Sequence, residues 1–271
     1  MDTWTDVRAG TSYTFRRYEP GDAADFLDLY ATLWDEHYDR GWFRWRYEEN
    51  PFLDHVPIFV AEADGSIVAA RPFLGLPMVV GDTSTLALLT ADTMVHPDHQ
   101  RRGLFTSLTE AAIEFYEARE PAFVFNQPNA VSRPGYRDLG WRELGPVETH
   151  YRVQNPRPVI ESRYVSGPLV PSLLTSINSA VRAVTDTIRR RRQPGTTRSF
   201  QGVRSHVLST LYDQRPPSEI HARRSEAYYD WRFGSPVWNR STYVADDGTG
   251  PTVALLARTR TTPAGPTVTQ I

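Results

Sequence analysis

A chain of 271 residues with 40% hydrophobic and 23% charged residues can bury a real core as one large or two modest domains. Its formal net charge of −2 argues against a bulk electrostatic partner, so no nucleic acid is expected. The absence of cysteine excludes disulfides, thiolate metal sites and cysteine nucleophiles, and the absence of lysine excludes Schiff-base chemistry.

The first residues lack the basic and then apolar pattern of a secretory signal, and no apolar run approaches the ~18 residues of a membrane span. A cytoplasmic protein is the expectation. Residues 13–19 alternate as a strand. Pro20-Gly21-Asp22 then opens a helix whose apolar face is Phe26, Leu27, Leu29, Tyr30 and Leu33. A short helix is predicted over 42–49, ending before Asn50-Pro51. Strands at 57–63 and 66–74 flank the hairpin signal Asp64-Gly65. Residues 85–95 read as one longer strand, 103–119 as an amphipathic helix and 122–125 as a short buried strand. Residues 130–139 are expected to be helical or turn-like around Pro134, and 141–153 to supply closing strands.

Residues 155–218 are rich in proline, serine and arginine. They include an amphipathic helix pattern (Val170, Leu174, Ile177, Val181, Val184, Ile188) that ends in four arginines at 189–192. Those arginines suit either a solvated helix C-terminus or the binding of phosphate or an acidic partner. Farther on, Trp231-Arg232-Phe233, Pro236 and Tyr243-Val244-Ala245 echo Trp45-Arg46-Tyr47, Pro51 and Phe59-Val60-Ala61. The expected division is therefore 1–154 as a first domain, 155–218 as a linker with a helix, and 219–271 as a partial repeat.

The segment that carries chemistry is Thr93-Met94-Val95-His96-Pro97-Asp98-His99-Gln100-Arg101-Arg102-Gly103-Leu104-Phe105. A strand, a polar turn, a glycine and then a helix form an anion cradle, because N–H groups at a helix start lack internal partners. Gly103 permits close approach of a phosphate, and Arg101 and Arg102 can add charge-assisted contacts. This stretch resembles the cofactor motif of the GNAT acetyltransferases, a Gln/Arg-x-x-Gly-x-Gly/Ala loop after a strand ending in Val-x-Pro. Gln100, Gly103 and Val95-His96-Pro97 match, whereas Phe105 replaces the usual small residue.

The resemblance implies an α/β fold with a GNAT-type mixed central sheet flanked by helices, followed by a C-terminal partial repeat of the same fold. It implies acetyl-CoA as co-substrate, no metal, and a primary amine, on a small molecule or a peptide, as acceptor by direct attack. The backbone of Met94 and Val95 would meet the acyl carbonyl and pantetheine. Gln100, Arg101, Arg102, Gly103, Leu104, Phe105 and Thr106 would hold the pyrophosphate. Asn126 and Asn129 would contact the cofactor, and Tyr136 would protonate the leaving thiolate, a phenol of pKa near ~10 being protonated at neutral pH. Asp92 is the first candidate for the general base, with His96 and His99 as alternatives. The aromatic run 42–47 fits an acceptor wall or plain core packing. Other readings are aminoacyl or other acyl transfer in cell-wall or polysaccharide tailoring, and a non-catalytic CoA-binding module. A homodimer is possible on this resemblance.

Overall fold

The computed structural model describes residues 3–117, 119, 121–150, 196–261 and 267–271. The chain forms two compact units, one of Met1–Gly145 with Arg215–Pro236, the other of Pro146–Gln214 with Val237–Ile271.

The first unit is built on a mixed sheet in the order β1-β2-β3-β4-β5-β7. Its strands are β1 (Trp4–Arg8), β2 (Thr11–Arg17), β3 (Ile58–Ala63), β4 (Ser66–Val80), β5 (Thr83–Thr90) and β7 (Phe123–Phe125). Asp64 and Gly65 both take positive φ (51° and 79°), so β3 and β4 join by the tight turn that their side chains favour. β4 is the central strand, buried from Ile67 to Leu76. Every pairing is antiparallel except β5 with β7.

The strand expected over 85–95 breaks in two. Asp92 sits at φ 38°, a conformation strained for a non-glycine residue, and the chain resumes as β6 (Met94–Val95). β6 pairs with β4 and, among the described residues, with no other strand. β5 and β7 stay paired through Leu89 and Phe125. The edge of β6 is thereby left open beside the end of β7.

Helices cover both faces. On one, α1 (Ala23–Trp34) and α2 (Arg40–Phe43), with its π-type extension Arg44–Glu48, bury Phe26, Leu29, Phe43 and Tyr47. On the other, α3 (Leu104–Glu117) buries Leu104, Leu108, Ala112 and Phe115 against Phe59 and Phe73. The helical period of those positions in the sequence produces this packing. A short α4 (Arg133–Asp138) follows β7.

Residues 141–150, expected to begin closing strands, form none. Alternation alone does not make a strand: Leu144 and Val147 are 98% and 66% exposed, and no neighbouring edge takes them up. The helix and arginine run expected at 170–192 lie outside the described residues.

The second unit holds an antiparallel sheet in the order β12-β11-β10-β8, with β8 (Thr196–Gln201), β10 (Asn239–Asp246), β11 (Pro251–Thr261) and β12 (Thr267–Gln270). After β8 comes α5 (Ser205–Gln214). The fully buried Thr242 fixes the intervening turn, accepting from the Arg204 N–H (3.2 Å) and donating to the Gly202 carbonyl (2.8 Å). Two further elements, β9 (His221–Ala222) and α6 (Glu226–Arg232), pack in the first unit, where β9 pairs with β4. Apart from the inserted β9, the order β8-α5-β9-α6-β10-β11-β12 follows that of β2-α1-α2-β3-β4-β5, consistent with a partial repeat.

These units do not follow the divisions expected at 154 and 218. Residues 196–214 are strand and helix rather than linker, and 219–236 belongs with the first unit because Tyr229 and Trp231 are buried there. Composition registers proline and arginine content, not the surface a segment covers.

Candidate active site

The break between β5 and β6 places Ala91, Asp92 and Thr93 on a cavity of about 430 Å³, together with Tyr30, Trp34, Glu36, Asn129 and Tyr136. One carboxylate and two aromatic rings from α1 and its C-terminal turn, with the Asp92 carboxylate from the strand break, therefore line the cavity together with a phenol from α4. Of the two catalytic candidates from the sequence, Asp92 and Tyr136, both line this one cavity.

Asp92 is held tightly. Its Oδ2 accepts from Arg46 Nε and from the Tyr47 hydroxyl, each at 2.5 Å. Burial pulls the Arg46 guanidinium down, but Asp92 and Tyr47 more than offset it, so Arg46 stays charged. The alternatives His96 and His99 do not line the cavity. His96 Nδ1 accepts from the Asp98 N–H (3.3 Å), and His99 Nδ1 is bonded to the Tyr13 hydroxyl (2.8 Å).

Tyr136 is 5% exposed. Its oxygen accepts from Arg71 Nη1 at 2.6 Å and lies 3.5 Å from Thr90 Oγ1. Burial raises the phenol, yet the Arg71 charge and the bonds with Thr90, Arg71 and Asn126 outweigh it and hold Tyr136 below its ordinary value. Arg71, wholly buried on β4, did not stand out in the sequence, where an arginine within a strand signals little.

At the loop, Gly103 takes φ 73° and Arg101 φ 60°, turning the chain into α3 with its first N–H groups free of helical partners. Gln100 Nε2 donates to the Val95 carbonyl (3.3 Å), tying the loop to β6. Arg102 is drawn inward to Thr11 Oγ1 (2.9 Å) and the Tyr13 hydroxyl (2.7 Å), leaving Arg101 as the exposed cation. A residue missed from sequence, Arg8 on β1, reaches over the loop to the Arg102 carbonyl (3.0 Å) and Ser107 Oγ (2.8 Å). Its long separation from the loop, 94 residues, hides that contact from any local pattern.

Met94 is buried under β6, with Val95 beside it, while Leu104 enters the core below α3 and Thr106 is exposed on the helix start. Phe105, the departure from the motif, turns toward α4. Its ring meets Tyr136 edge-on at 5.2 Å, and a Cβ on Gly135 would lie 3.0 Å from it. Asn126 buries Nδ2 without a well-aligned partner among the described residues. Asn129 commits its Oδ1 to the turn before α4, accepting from Val131 N, Ser132 N and Ser132 Oγ.

Residues 14–144 match a family model described as an acetyltransferase (GNAT) domain. No curated protein matches the chain. Among solved structures, a conserved protein of unknown function from Enterococcus faecalis V583, described as a probable N-acyltransferase, is similar over 93% of this chain and 56% of that one, at 11% identity and a TM-score of 0.61. An aminoglycoside N-acetyltransferase in complex with CoA is similar over 54% of this chain and 99% of that one, at 20% identity and a TM-score of 0.43. A glucosamine-6-phosphate N-acetyltransferase from Arabidopsis thaliana covers 51% of this chain and 97% of its own, at 19% identity and a TM-score of 0.42.

Proposed function

The chain carries a GNAT acetyltransferase domain over residues 14–144, and on that premise we propose that it transfers an acetyl group from acetyl-CoA to a primary amine by direct attack. The observation that supports this most is that Asp92 and Tyr136 line one cavity, which Thr93 also lines immediately before β6, a strand paired among the described residues with β4 alone. Pantetheine would run along β6, with the acyl carbonyl taking an N–H from the Met94–Val95 backbone. Such a donor stabilises the oxyanion of the tetrahedral intermediate. The pyrophosphate would sit on the α3 N-terminus over Gly103, within reach of Arg101 and Arg8.

Glu36 and Asp92 favour a cationic amine in the cavity, and Tyr30 and Trp34 give its carbon skeleton an apolar wall. Because Arg46 and Tyr47 fix its Oδ2, Asp92 suits orienting the amine and drawing off its proton through water better than abstracting it unaided. Tyr136 then protonates the departing thiolate.

Calorimetric titration of acetyl-CoA into wild type and Gly103→Glu tests the donor. Heat with wild type that vanishes in the variant places CoA on the loop, and thiol release from a panel of amines then finds the acceptor. A wild type that binds no acetyl-CoA would exclude this donor.

A further inference from the structure

Arg71 is the largest fully buried side chain among the described residues, and its charge has no carboxylate partner among them. Nη1 bonds Thr93 Oγ1 and the Tyr136 hydroxyl, while Nε and Nη2 have no partner among the described residues. The remaining neighbours are aromatic faces, with Phe73, Tyr136 and Phe105 centred 5.0, 5.2 and 5.6 Å from the guanidinium carbon. A buried, unpaired cation is costly, and structural arginines are normally matched by a carboxylate. Here the oxygens that it bonds among the described residues are neutral hydroxyls, and one of them belongs to the proposed acid. Asn126 adds a second buried donor, Nδ2, beside the same hydroxyl.

We propose that Arg71 is a positioning residue for proton transfer: with the Asn126 amide it holds the negative charge left on the Tyr136 oxygen when the phenol protonates the departing thiolate. This rests on the reading of Tyr136 as the acid. As the tetrahedral intermediate collapses, the C–S bond breaks and sulfur keeps the electron pair and takes the Tyr136 proton. The phenolate remains against Arg71. The proton lost by the acylated amine to solvent is matched by one returned to Tyr136, so the enzyme is regenerated. A carboxylate beside Arg71 would cancel the field that this step uses, which accounts for its absence. Phe105 belongs to the same arrangement, since its ring covers Arg71 and packs on Tyr136.

The test follows tyrosinate absorbance against pH in wild type, Arg71→Met, Arg71→Lys and Asn126→Ala, each referenced to the same protein carrying Tyr136→Phe. In wild type Tyr136 should ionise below the ordinary ~10. In Arg71→Met only the bonds with Thr90 and Asn126 still oppose burial, and ionisation should rise by at least about one pH unit, a tenfold change in the equilibrium. Arg71→Lys should restore part of the shift and Asn126→Ala should show a smaller rise. In parallel, kcat in Arg71→Met should fall roughly tenfold or more, within the range assigned to general-acid assistance, with acetyl-CoA binding retained. If Arg71→Met does not fold, the lysine and Asn126 variants carry the comparison. Identical ionisation of Tyr136 in wild type and the variants would overturn the proposal. Full turnover in Tyr136→Phe would instead overturn the acid reading on which it depends, and the titration, which needs no turnover, separates the two failures.

Discussion

The segments around Trp45 and Trp231 share a Trp-Arg-aromatic triplet but differ in chemical surroundings. Each tryptophan donates its indole N–H to the other's backbone carbonyl, Trp45 to Trp231 at 2.7 Å and Trp231 to Trp45 at 3.0 Å. The packing is reciprocal, but the arginines that follow are not equivalent. Arg46 is paired with Asp92, whereas Arg232 has no carboxylate at bonding distance among the described residues. Burial lowers Arg232 first, Arg46 repels it, and only Tyr228 and the more distant Asp92 support its charge. The shared triplet thus has the same structural half at both places, while the carboxylate and the proposed phosphate loop accompany the first.

The symmetric half predicts the largest effects. Trp231→Ala and Trp45→Ala should each cost about 3–5 kcal/mol, as for other buried tryptophans. A denaturant-derived double-mutant cycle should return a coupling of about 1 kcal/mol or more, because each truncation removes the donor to the other's backbone carbonyl and loosens the backbone that accepts from the remaining indole. Strictly additive losses would mean that the two copies are not interlocked.

The asymmetric half separates the arginines. Arg46→Met leaves Asp92 as a mostly buried charge without its ion pair, and should cost roughly 3 kcal/mol. Arg232→Met removes a desolvated cation that has no ion pair among the described residues, and should lie within about 1 kcal/mol of wild type. Urea midpoints at constant m-value measure both. Equal losses would show that the second arginine has an importance that its surroundings do not account for.

What the sequence made legible follows the same division. Local patterns located the Asp64-Gly65 hairpin, α1, α3 and the Gly103 turn, because each depends on near neighbours and a fixed period. They also drew attention to Trp231 through its echo of Trp45. Contacts between distant segments were hidden: Arg8 over the loop, Arg71 under Tyr136, and α6 within the first unit. The split of 85–95 was equally hidden, since Asp92 adopts its left-handed conformation through Arg46 and Tyr47, 46 and 45 residues away. Closing strands at 141–150 failed for the converse reason, an alternating pattern without a partner edge.

The loop of the first copy has its own prediction. Gly103→Ala forces a side chain into φ 73° and places Cβ 2.9 Å from Arg8 Nη1. It should destabilise by about 1–2 kcal/mol, in the range of single-residue backbone strain. Adding Arg8→Ala should relieve part of that loss while weakening acetyl-CoA binding in calorimetry. An Arg8→Ala protein with unchanged affinity would remove Arg8 from the proposed phosphate site.

The smallest effect expected is a pH dependence confined to the same loop. Burial, then Arg102 and His96, hold His99 below its ordinary histidine pKa. Arg102 donates to the Tyr13 oxygen, and the neutral His99 can accept the Tyr13 proton at Nδ1. The unfolded chain therefore binds this proton more readily than the folded one, and stability rises with pH over the window where only the unfolded state is protonated. The contribution of His99 should be constant above the ordinary ~6.5 and should decline as pH falls below it toward the depressed folded value. Urea midpoints on either side of that pH, compared between wild type and His99→Gln, isolate this residue from the other groups that titrate with acid. Glutamine retains an acceptor for Tyr13 but cannot take the proton, so the wild-type slope should be the steeper of the two. Matching slopes would mean that His99 titrates alike in both states, and that the Arg102–Tyr13–His99 chain does not link protonation to the cofactor loop.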